Sequence, residues 1–537
     1  MPGPLWILLL TPLAVQQKVN LDPLADAPAL AARIDAFVEK HWRESKVKPA
    51  LPVDDAAFLR RMTLDLAGRI PSRDEAVAFA RDRRPDRRGQ TIKRLMLSPE
   101  YSLHLGRVLD DMIQEKYAGG SEFLDYLRSA VGKHKAWDQV FREVMLGPWD
   151  VDDTKGADGF LIKRVRSLDD LTNDTARIFF GVNVSCAKCH NHPLVADWTQ
   201  DHYYGMASFF TRTIEASKEK RKGKNKERQD LSEKATSDIV FMTKTGEKRT
   251  ARLMFLSSRF VEEAPAKTVK VSFSPAKATA PAPASRRALL VKAALEEKTF
   301  FSRALVNRLW AYYMGRGLVQ PVDQMHSANP PAIPGLLEWL AADFSDHGYN
   351  LDRLIAGLIS SKVYQLQSIA NAAGEEPSDG AFAVGPLRAL TPQQLAFSLS
   401  MLGGEQTPFR FKDARRWTQW YKDLEGRAAA LTKSEPLDPR SDHFQSSTAE
   451  ALYLSNNPEI QKLFLPANKN LAARLGTMKD GGQVVDAAFW TILSRPPDNE
   501  EKAYLAHWLD DRRQTWPRAC GELAWALVTS AEFRFNH

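Results

Sequence analysis

Helical periodicity runs through most of the 537-residue chain and constrains its fold more than any other feature. Apolar residues recur three and four positions apart, for example within 34–42 and 305–313, as in helices that bury one face. Residues suited to cap a first helical turn precede several of these segments, with Pro or Glu favourably placed just after them. The candidate caps include Ser72, Ser98 and Thr391. The pattern predicts a mainly α protein.

One stretch departs from this pattern and divides the chain. Residues 237–273 contain β-rich runs around Thr245 and Gly246, which predict a hairpin. The following segment, 274–287, is rich in Pro and Ala and predicts a linker. A chain of this length exceeds what one core usually serves. We therefore expect a multi-helical two-domain protein with a small β-hairpin insertion between the helical halves.

The net charge of +8 does not by itself indicate nucleic-acid binding. Residues 218–230 carry seven Lys or Arg against three Asp or Glu, so half of the excess charge lies in this run. Such a run is typical of a solvated loop. The functional alternative is that residues 218–228 contact an anionic surface, such as acidic lipid or polysaccharide. No helix-turn-helix, zinc-finger or RNA-binding pattern accompanies it, so we expect no specific nucleic-acid binding.

The N-terminal residues have the character of an export signal. Leu5 to Val15 form an apolar stretch of signal-peptide length, although no basic residue precedes it. We expect a signal-like leader over 1–17 and an extracytoplasmic location, periplasmic or at the cell surface; the alternative is a buried N-terminal strand or helix. No other segment is long and apolar enough to cross a membrane. Three cysteines make no disulfide framework.

Two of these cysteines lie in the segment SCAKCHNHP, 185–193. Cys186, Cys189 and His190 form the C-x-x-C-H pattern that attaches c-type haem. In that chemistry each thiol bonds one vinyl group of the porphyrin, and the following histidine serves as the proximal iron ligand. The motif predicts an exported c-type haem protein with an electron-transfer or other redox role, and with it a redox partner protein.

The second axial ligand of such a haem has several candidates. His202 and Met206 lie four residues apart, on one face of a helix predicted within 199–210. Both are candidates to contact the haem, although a Met at helical spacing is more often part of a core. Met325 and His326, beyond the linker, are further candidates, and an empty sixth position is the remaining alternative.

Two other interpretations of the motif stay open. A bare zinc or iron ion would find two sulfur and two nitrogen ligands in Cys186, Cys189, His190 and His192. Structural zinc sites usually take ligands from two chain segments, so this non-haem metal protein, possibly hydrolytic, would need a second arm from His202 or Asp197. Alternatively, the motif is structural in a helical binding or scaffold protein. No hydrolase, metalloprotease or nucleotide-binding signature is present.

Longer stretches resemble a known family. FFGVNVSCAKCHNHPLVADWTQDHYYGMASFF, 179–210, is similar to the core of the planctomycete cytochrome-c-like domain of unknown function. LSPEYSLHLGRVLDDM, 97–112, resembles the N-terminal half of the same domain. FFSRALVNRLWAYYMGRGLV, 300–319, resembles the partner domain of unknown function that usually follows it.

The composition predicts a basic loop with a small β insertion over 216–273. The resemblance implies a helical cytochrome-c-like domain over 25–215 and a helical partner domain over 288–537. It also implies an exported protein. Cys186, Cys189 and His190 are carried over as presumed haem positions. The family pattern further marks, without defined roles, His192, Trp198, Asp201 and Tyr204.

Overall fold

The computed structural model describes most of the chain, and its helices and strands are reported for these ranges: 24, 26–118, 122–191, 195–215, 231–234, 237–263, 285–369, 377–403, 419–426, 456–467 and 470–537. The predicted leader 1–17, the basic run 218–228 and most of the linker 274–287 lie outside the described residues, and these stay predictions. No helix among the described residues combines the length and the apolar character needed to cross a membrane.

Helices dominate the first half of the structure. They are α1 (Ala27–Glu44), α2 (Asp55–Ala67), α3 (Arg73–Arg81), α4 (Arg87–Met96), α5 (Pro99–Gln114), α6 (Glu122–Gly132), α7 (Trp137–Leu146), α8 (Gly159–Ile162), α9 (Leu168–Phe180) and α10 (Gln200–Ser208). Short 3₁₀ turns cover Glu115–Tyr117 and Ser185–Lys188.

The second half is also helical. It contains α11 (Arg286–Glu297), α12 (Thr299–Met314), α13 (Leu336–Asp346), α14 (Leu351–Ser360), α15 (Pro392–Leu402), α16 (419–426), α17 (Pro458–Phe464), α18 (Leu471–Gly476), α19 (Gly481–Ile492), α20 (Asn499–Asp510), α21 (Trp516–Thr529) and α22 (Ala531–Arg534). Further 3₁₀ turns cover Asp379–Ala381 and Arg513–Thr515. With 60% of the described residues in helices, the structure confirms the mainly α prediction.

Within the described ranges, the strands form three small antiparallel pairs. They join β1 (Thr213–Glu215) to β2 (Leu231–Glu233), β3 (Val240–Met242) to β4 (Lys248–Thr250), and β5 (Arg388–Ala389) to β6 (Phe535–Asn536). The β3–β4 pair is the predicted hairpin, with Val240 opposite Thr250 and the turn closed at Gly246, where φ is +82°. A positive φ favours glycine, which explains why this residue marks the turn.

Local sequence signals place several helix ends as predicted. Ser72 accepts from the backbone N–H of Glu75 at 3.2 Å, and the Glu75 carboxylate accepts from the N–H of Ser72 at 2.9 Å, which completes a capping box. Ser98 and Thr391 likewise cap helices that begin with proline. The caps confirm the predicted starts of α3, α5 and α15.

Two large hydrophobic cores, and a small third cluster around Phe397, organise the described residues. The first core takes apolar side chains from the helices before residue 216, from residues next to the hairpin and from α11–α14. Helix α1 packs against α14, where a Cβ on Gly357 would lie 2.4 Å from Leu30 Cδ2. The second core lies mainly in the chain from Leu390 onward. One core therefore contains helices from both sides of the predicted linker.

Helix α2 connects the two cores. Phe58 lies in the first core and Leu64 in the second. Between them, the buried Arg60 guanidinium donates to the carbonyl oxygens of Ile492 at 3.1 Å and Phe533 at 2.7 Å. Burial lowers the pKa of Arg60 to about 10, so this side chain still carries its charge near neutral pH. The fully buried charge therefore ties α2 to the C-terminal helices.

A buried histidine beside α2 makes stability depend on pH. Burial, helped by the charge of Arg388, lowers the pKa of His104 to about 4, while its Nε2 lies 3.1 Å from the Tyr312 hydroxyl. The unfolded chain takes up this proton near pH 6.5, so we expect the free energy of unfolding to fall by up to about 3 kcal/mol as the pH falls from 6.5 to 4.

Urea unfolding at a series of pH values tests this expectation. His104→Gln should flatten the slope between pH 6.5 and 4, leaving a residual contribution because burial also lowers the pKa values of His202 and His537. His507→Gln is the matched control, since the His507 side chain is 80% exposed. Identical slopes for wild type and His104→Gln would contradict the assignment.

Candidate functional site

The motif lies on a short turn between α9 and α10. Gly181 ends α9 in the left-handed conformation, with φ at +69°, which glycine adopts without strain. The Asn183 side-chain oxygen then accepts from the backbone N–H of Ser185 at 3.1 Å and from its hydroxyl at 2.6 Å. This local bonding, typical of Asn, starts the 3₁₀ turn that carries the first cysteine.

The turn presents both thiols to solvent. Val184 and Ala187 are fully buried in the first core and anchor the inner side of the turn. Cys186 and Cys189 are exposed and free on its outer side. The structure therefore holds two accessible thiols three residues apart on an anchored turn, as covalent attachment to a ligand requires.

The imidazole of His190 is hydrogen-bonded at one nitrogen. Its Nδ1 lies 2.6 Å from the carbonyl oxygen of Asn191, and since a carbonyl only accepts, Nδ1 carries the proton. In the neutral ring this leaves the lone pair of Nε2 for a metal. Ligating histidines commonly have this arrangement, because the bond orients the ring and fixes its tautomer.

Gln200, at the start of α10, fixes the backbone of the motif. Its side-chain amide donates to the carbonyl oxygen of Cys189 at 3.2 Å and, at 3.4 Å, to those of Lys188 and Met242. Its side-chain oxygen accepts from the N–H of Lys244 at 3.1 Å. One buried side chain thus joins the motif, α10 and the β3–β4 hairpin.

Gln200→Ala should loosen this junction. The change removes the hydrogen bonds to these partly buried carbonyls and the acceptor of the Lys244 amide, at an expected cost of about 2 kcal/mol. We expect faster hydrogen exchange in peptides covering 185–191 and 240–250, measured by mass spectrometry. Gln419→Ala is the control, because among the described residues the Gln419 side chain bonds only Asp423, four positions along its own helix, at 2.9 Å and on an exposed surface. Unchanged exchange near the motif would contradict the role of Gln200.

A polar group on α9 holds the motif from the other side. Asp169 accepts hydrogen bonds from Lys188 and from the Tyr203 hydroxyl. Partial burial opposes ionisation of Asp169, but these two hydrogen bonds outweigh it and lower its pKa. The carboxylate therefore stays charged and ties the Lys188 side chain, between the two cysteines, to α9.

Aromatic side chains lie beside the motif. Tyr204 is close enough to Cys189 for an electrostatic interaction, and its ring stacks on Phe241 of the hairpin with centroids 4.1 Å apart. Both rings line an open cleft of about 330 Å³, with Arg249 among its charged residues. Tyr204 therefore lies both at this cleft and on the side of Cys189.

The other predicted ligands occupy different environments. The N–H and hydroxyl of Thr199 lie 3.2 Å and 2.9 Å from His202 Nδ1, while Nε2 lies 3.0 Å from the Ser258 hydroxyl. Both nitrogens of His202 are therefore engaged. Met206 is fully buried in the first core.

The bare-metal interpretation depends partly on residues that the structure does not describe. His192 lies outside the described residues. Within the described ranges, no group of three or more His, Cys, Asp or Glu side chains is arranged to hold a metal ion. The four-ligand set therefore stays a prediction.

A segment of the second half, residues 324–327, runs alongside the motif loop. Gln324 pairs with Val182 in an isolated antiparallel bridge, and the Met325 N–H donates to the Gly181 carbonyl at 3.0 Å. The N–H and hydroxyl of Ser327 donate to the Asp197 carboxylate at 2.8 Å and 2.6 Å. We refer to residues 324–327 as the strap.

Sequence reasoning did not identify several residues that hold this site: Gln200, Asp169 and Ser327. It named Asp197 only as a candidate metal ligand. These residues contact backbone carbonyls or side chains far along the chain. Such contacts leave no short sequence motif. The resemblance did mark Trp198 and Asp201, on either side of Gln200 in the sequence, and this was the available signal for Gln200.

Comparison with known proteins finds one family match in each half of the chain. Residues 33–215 match the family PSCyt2, described as a protein of unknown function (DUF1549). Residues 285–509 match the family PSD1, also described as a protein of unknown function (DUF1553). No curated protein and no solved structure matches the chain. The chain therefore combines a PSCyt2 domain with a PSD1 domain that follows it, which is the family arrangement that its motifs predicted.

Proposed function

We propose that this protein attaches haem c covalently through Cys186 and Cys189, with His190 as the proximal ligand, and that it transfers electrons outside the cytoplasm. The observation that carries the proposal is the exposed turn with two free thiols, followed by a histidine whose Nδ1 is bonded to a backbone carbonyl. The name of the PSCyt2 family points towards cytochromes, although both matched families are of unknown function.

The residues of the motif suit the attachment chemistry. Each thiol adds across one vinyl group: the sulfur bonds one carbon and the hydrogen goes to the other, so no oxidant is needed. Both cysteines are accessible before attachment. His190 can bind through Nε2, because its hydrogen bond keeps the proton on Nδ1. Tyr204, backed by the stacked ring of Phe241, supplies an aromatic group on the side of Cys189.

The surrounding bonds would keep these groups in place. When bound, the haem supplies an iron that cycles between two oxidation states. Gln200 and Asp169 hold the backbone and the Lys188 side chain of the motif. The exposure of the turn leaves the site open to a redox partner protein, which agrees with electron transfer.

The proposed location follows from the same chemistry and from the leader. Covalent attachment of haem c takes place in an export compartment, and the apolar stretch from Leu5 to Val15 is of signal-peptide length. We therefore place the protein in the periplasm or at the cell surface. The basic run 218–228 would then favour contact with an anionic surface.

A visible spectrum tests the proposed function. The full chain is expressed with a cytochrome c maturation system, purified from the exported fraction and examined as its pyridine haemochrome, before and after reduction with dithionite. We expect a c-type spectrum with about one haem per chain and reversible reduction. Exported, folded protein without haem would contradict the proposal, and stoichiometric zinc or iron in that sample would favour the non-haem alternative.

A further inference from the structure

We propose that His326, supplied by the PSD1 domain, is the second axial ligand of the haem attached to the PSCyt2 domain. The proposal rests on the haem attachment proposed above. It assigns to the second domain a direct part in a site whose covalent motif lies entirely in the first.

The strap brings His326 to the motif loop and fixes it at both ends. On one side of His326, the Met325 N–H bonds the carbonyl of Gly181, just before the motif. On the other side, Ser327 bonds Asp197, just after the motif, through both its N–H and its hydroxyl. His326 lies between these two attachments, and it interacts electrostatically with Asp197.

Close packing keeps this arrangement in register. Met325 is almost completely buried. A Cβ on Gly181 would lie 2.8 Å from the Met325 sulfur, so the strap packs directly on the backbone that leads into the motif. The position of the neighbouring His326 is therefore set by the packing of one domain on the other.

The imidazole of His326 is unlike those of the other candidate ligands. Its Nδ1 is buried and has no hydrogen-bond partner among the described residues. A buried polar atom left without a partner costs about 1–3 kcal/mol, so native proteins rarely keep one without a reason. A ring nitrogen without a hydrogen-bond partner is the type required to bind a metal.

The alternatives fit this role less well. His202 would have to give up hydrogen bonds to Thr199 or Ser258 before a nitrogen became free. Met206 is fully enclosed in the first core, and its movement to a surface site would open a cavity there. Binding through Nδ1 of His326 would break no hydrogen bond among the described residues.

Absorption and electron paramagnetic resonance spectra of the haem-loaded full chain test the assignment. We expect low-spin ferric haem in wild type. His326→Ala should keep its covalent haem but become high-spin, and added imidazole should restore the low-spin spectrum. His326→Met should stay low-spin, with a raised reduction potential, because methionine also binds haem iron. His347→Ala is the control, since the His347 side chain is 43% exposed and bonds its own helix.

The possible failures are distinguishable. Wild type that carries covalent haem in a high-spin state, or His326→Ala that keeps the wild-type low-spin spectrum, would overturn the ligand assignment and leave the attachment intact. If His326→Ala does not fold, an unchanged potential and spectrum in His326→Met would overturn it equally. Wild type without haem would overturn both proposals.

Discussion

Replacing both Cys186 and Cys189 with serine is expected to abolish covalent haem while leaving the fold intact. A serine hydroxyl does not form the thioether bond, so haem content should fall from about one per chain to background. Both side chains are exposed, and surface substitutions usually change stability by less than about 0.5 kcal/mol. The covalent haem content is measured per chain as the haem that resists extraction with acidified acetone. The stability of the fold is measured by thermal unfolding of the haem-free proteins.

Cys520→Ala is the matched control for this pair. Cys520 is fully buried in the second core, and burial raises the pKa of its thiol to about 11, so it is chemically inert. This variant should keep the wild-type haem content. The attachment site would be wrong if the double serine variant retained haem that cannot be extracted, or if Cys520→Ala lost it.

Asp65→Ala should be the most destabilising of the substitutions considered. The Asp65 side chain is completely buried at the junction of the two halves. It accepts from the Tyr364 hydroxyl at 2.8 Å, from Arg388 at 2.8 Å and 2.7 Å, and from the Asn536 amide at 2.7 Å. These partners come from the end of the first core, from β5 and from β6. One carboxylate therefore joins both cores to α2.

Removing this carboxylate leaves donors without an acceptor. Breaking a buried ion pair typically costs 3–5 kcal/mol, and since the Arg388 side chain is 21% exposed we expect the lower end, about 3 kcal/mol. Urea unfolding followed by tryptophan fluorescence measures the loss. The control is Glu522→Ala, whose carboxylate is 46% exposed and 3.0 Å from Arg518; here the loss should stay under about 0.5 kcal/mol. Equal midpoints for the two variants would refute the role of Asp65.

Helix boundaries could be predicted from the sequence where interactions between neighbouring residues determine them. The Ser72–Glu75 capping box and the Ser98–Pro99 helix start depend on residues within one turn of each other. The hairpin turn at Gly246 depends on a single backbone conformation. Such signals survive in any tertiary context, which is why the helical class and the β insertion were predicted correctly.

The contacts that join the two halves of the structure could not be predicted from the sequence. Arginine and aspartate are rarely buried, so Arg60 and Asp65 on α2 gave no sign that they lie between two cores. Their partners are more than 200 residues away along the chain. The helical periodicity of α2 predicts a helix but not its burial on nearly every side.

The C-x-x-C-H motif was identified from its spacing in the sequence. The residues that hold the motif in place were not. The sequence placed Cys186, Cys189 and His190 together, and the structure adds that both thiols are exposed and that His190 is oriented by Asn191. The helical spacing of His202 and Met206 placed them on one helix correctly. It did not show that Thr199 and Ser258 engage both nitrogens of His202, because Ser258 belongs to a distant segment.

Mapping the modified peptide tests the central claim most directly. The exported full chain, matured with a cytochrome c system, is digested with pepsin, because trypsin would cut after Lys188 between the two cysteines. Tandem mass spectrometry then locates any tetrapyrrole. The account predicts one haem bonded to both Cys186 and Cys189. Unmodified thiols at these positions in exported, folded protein would contradict it.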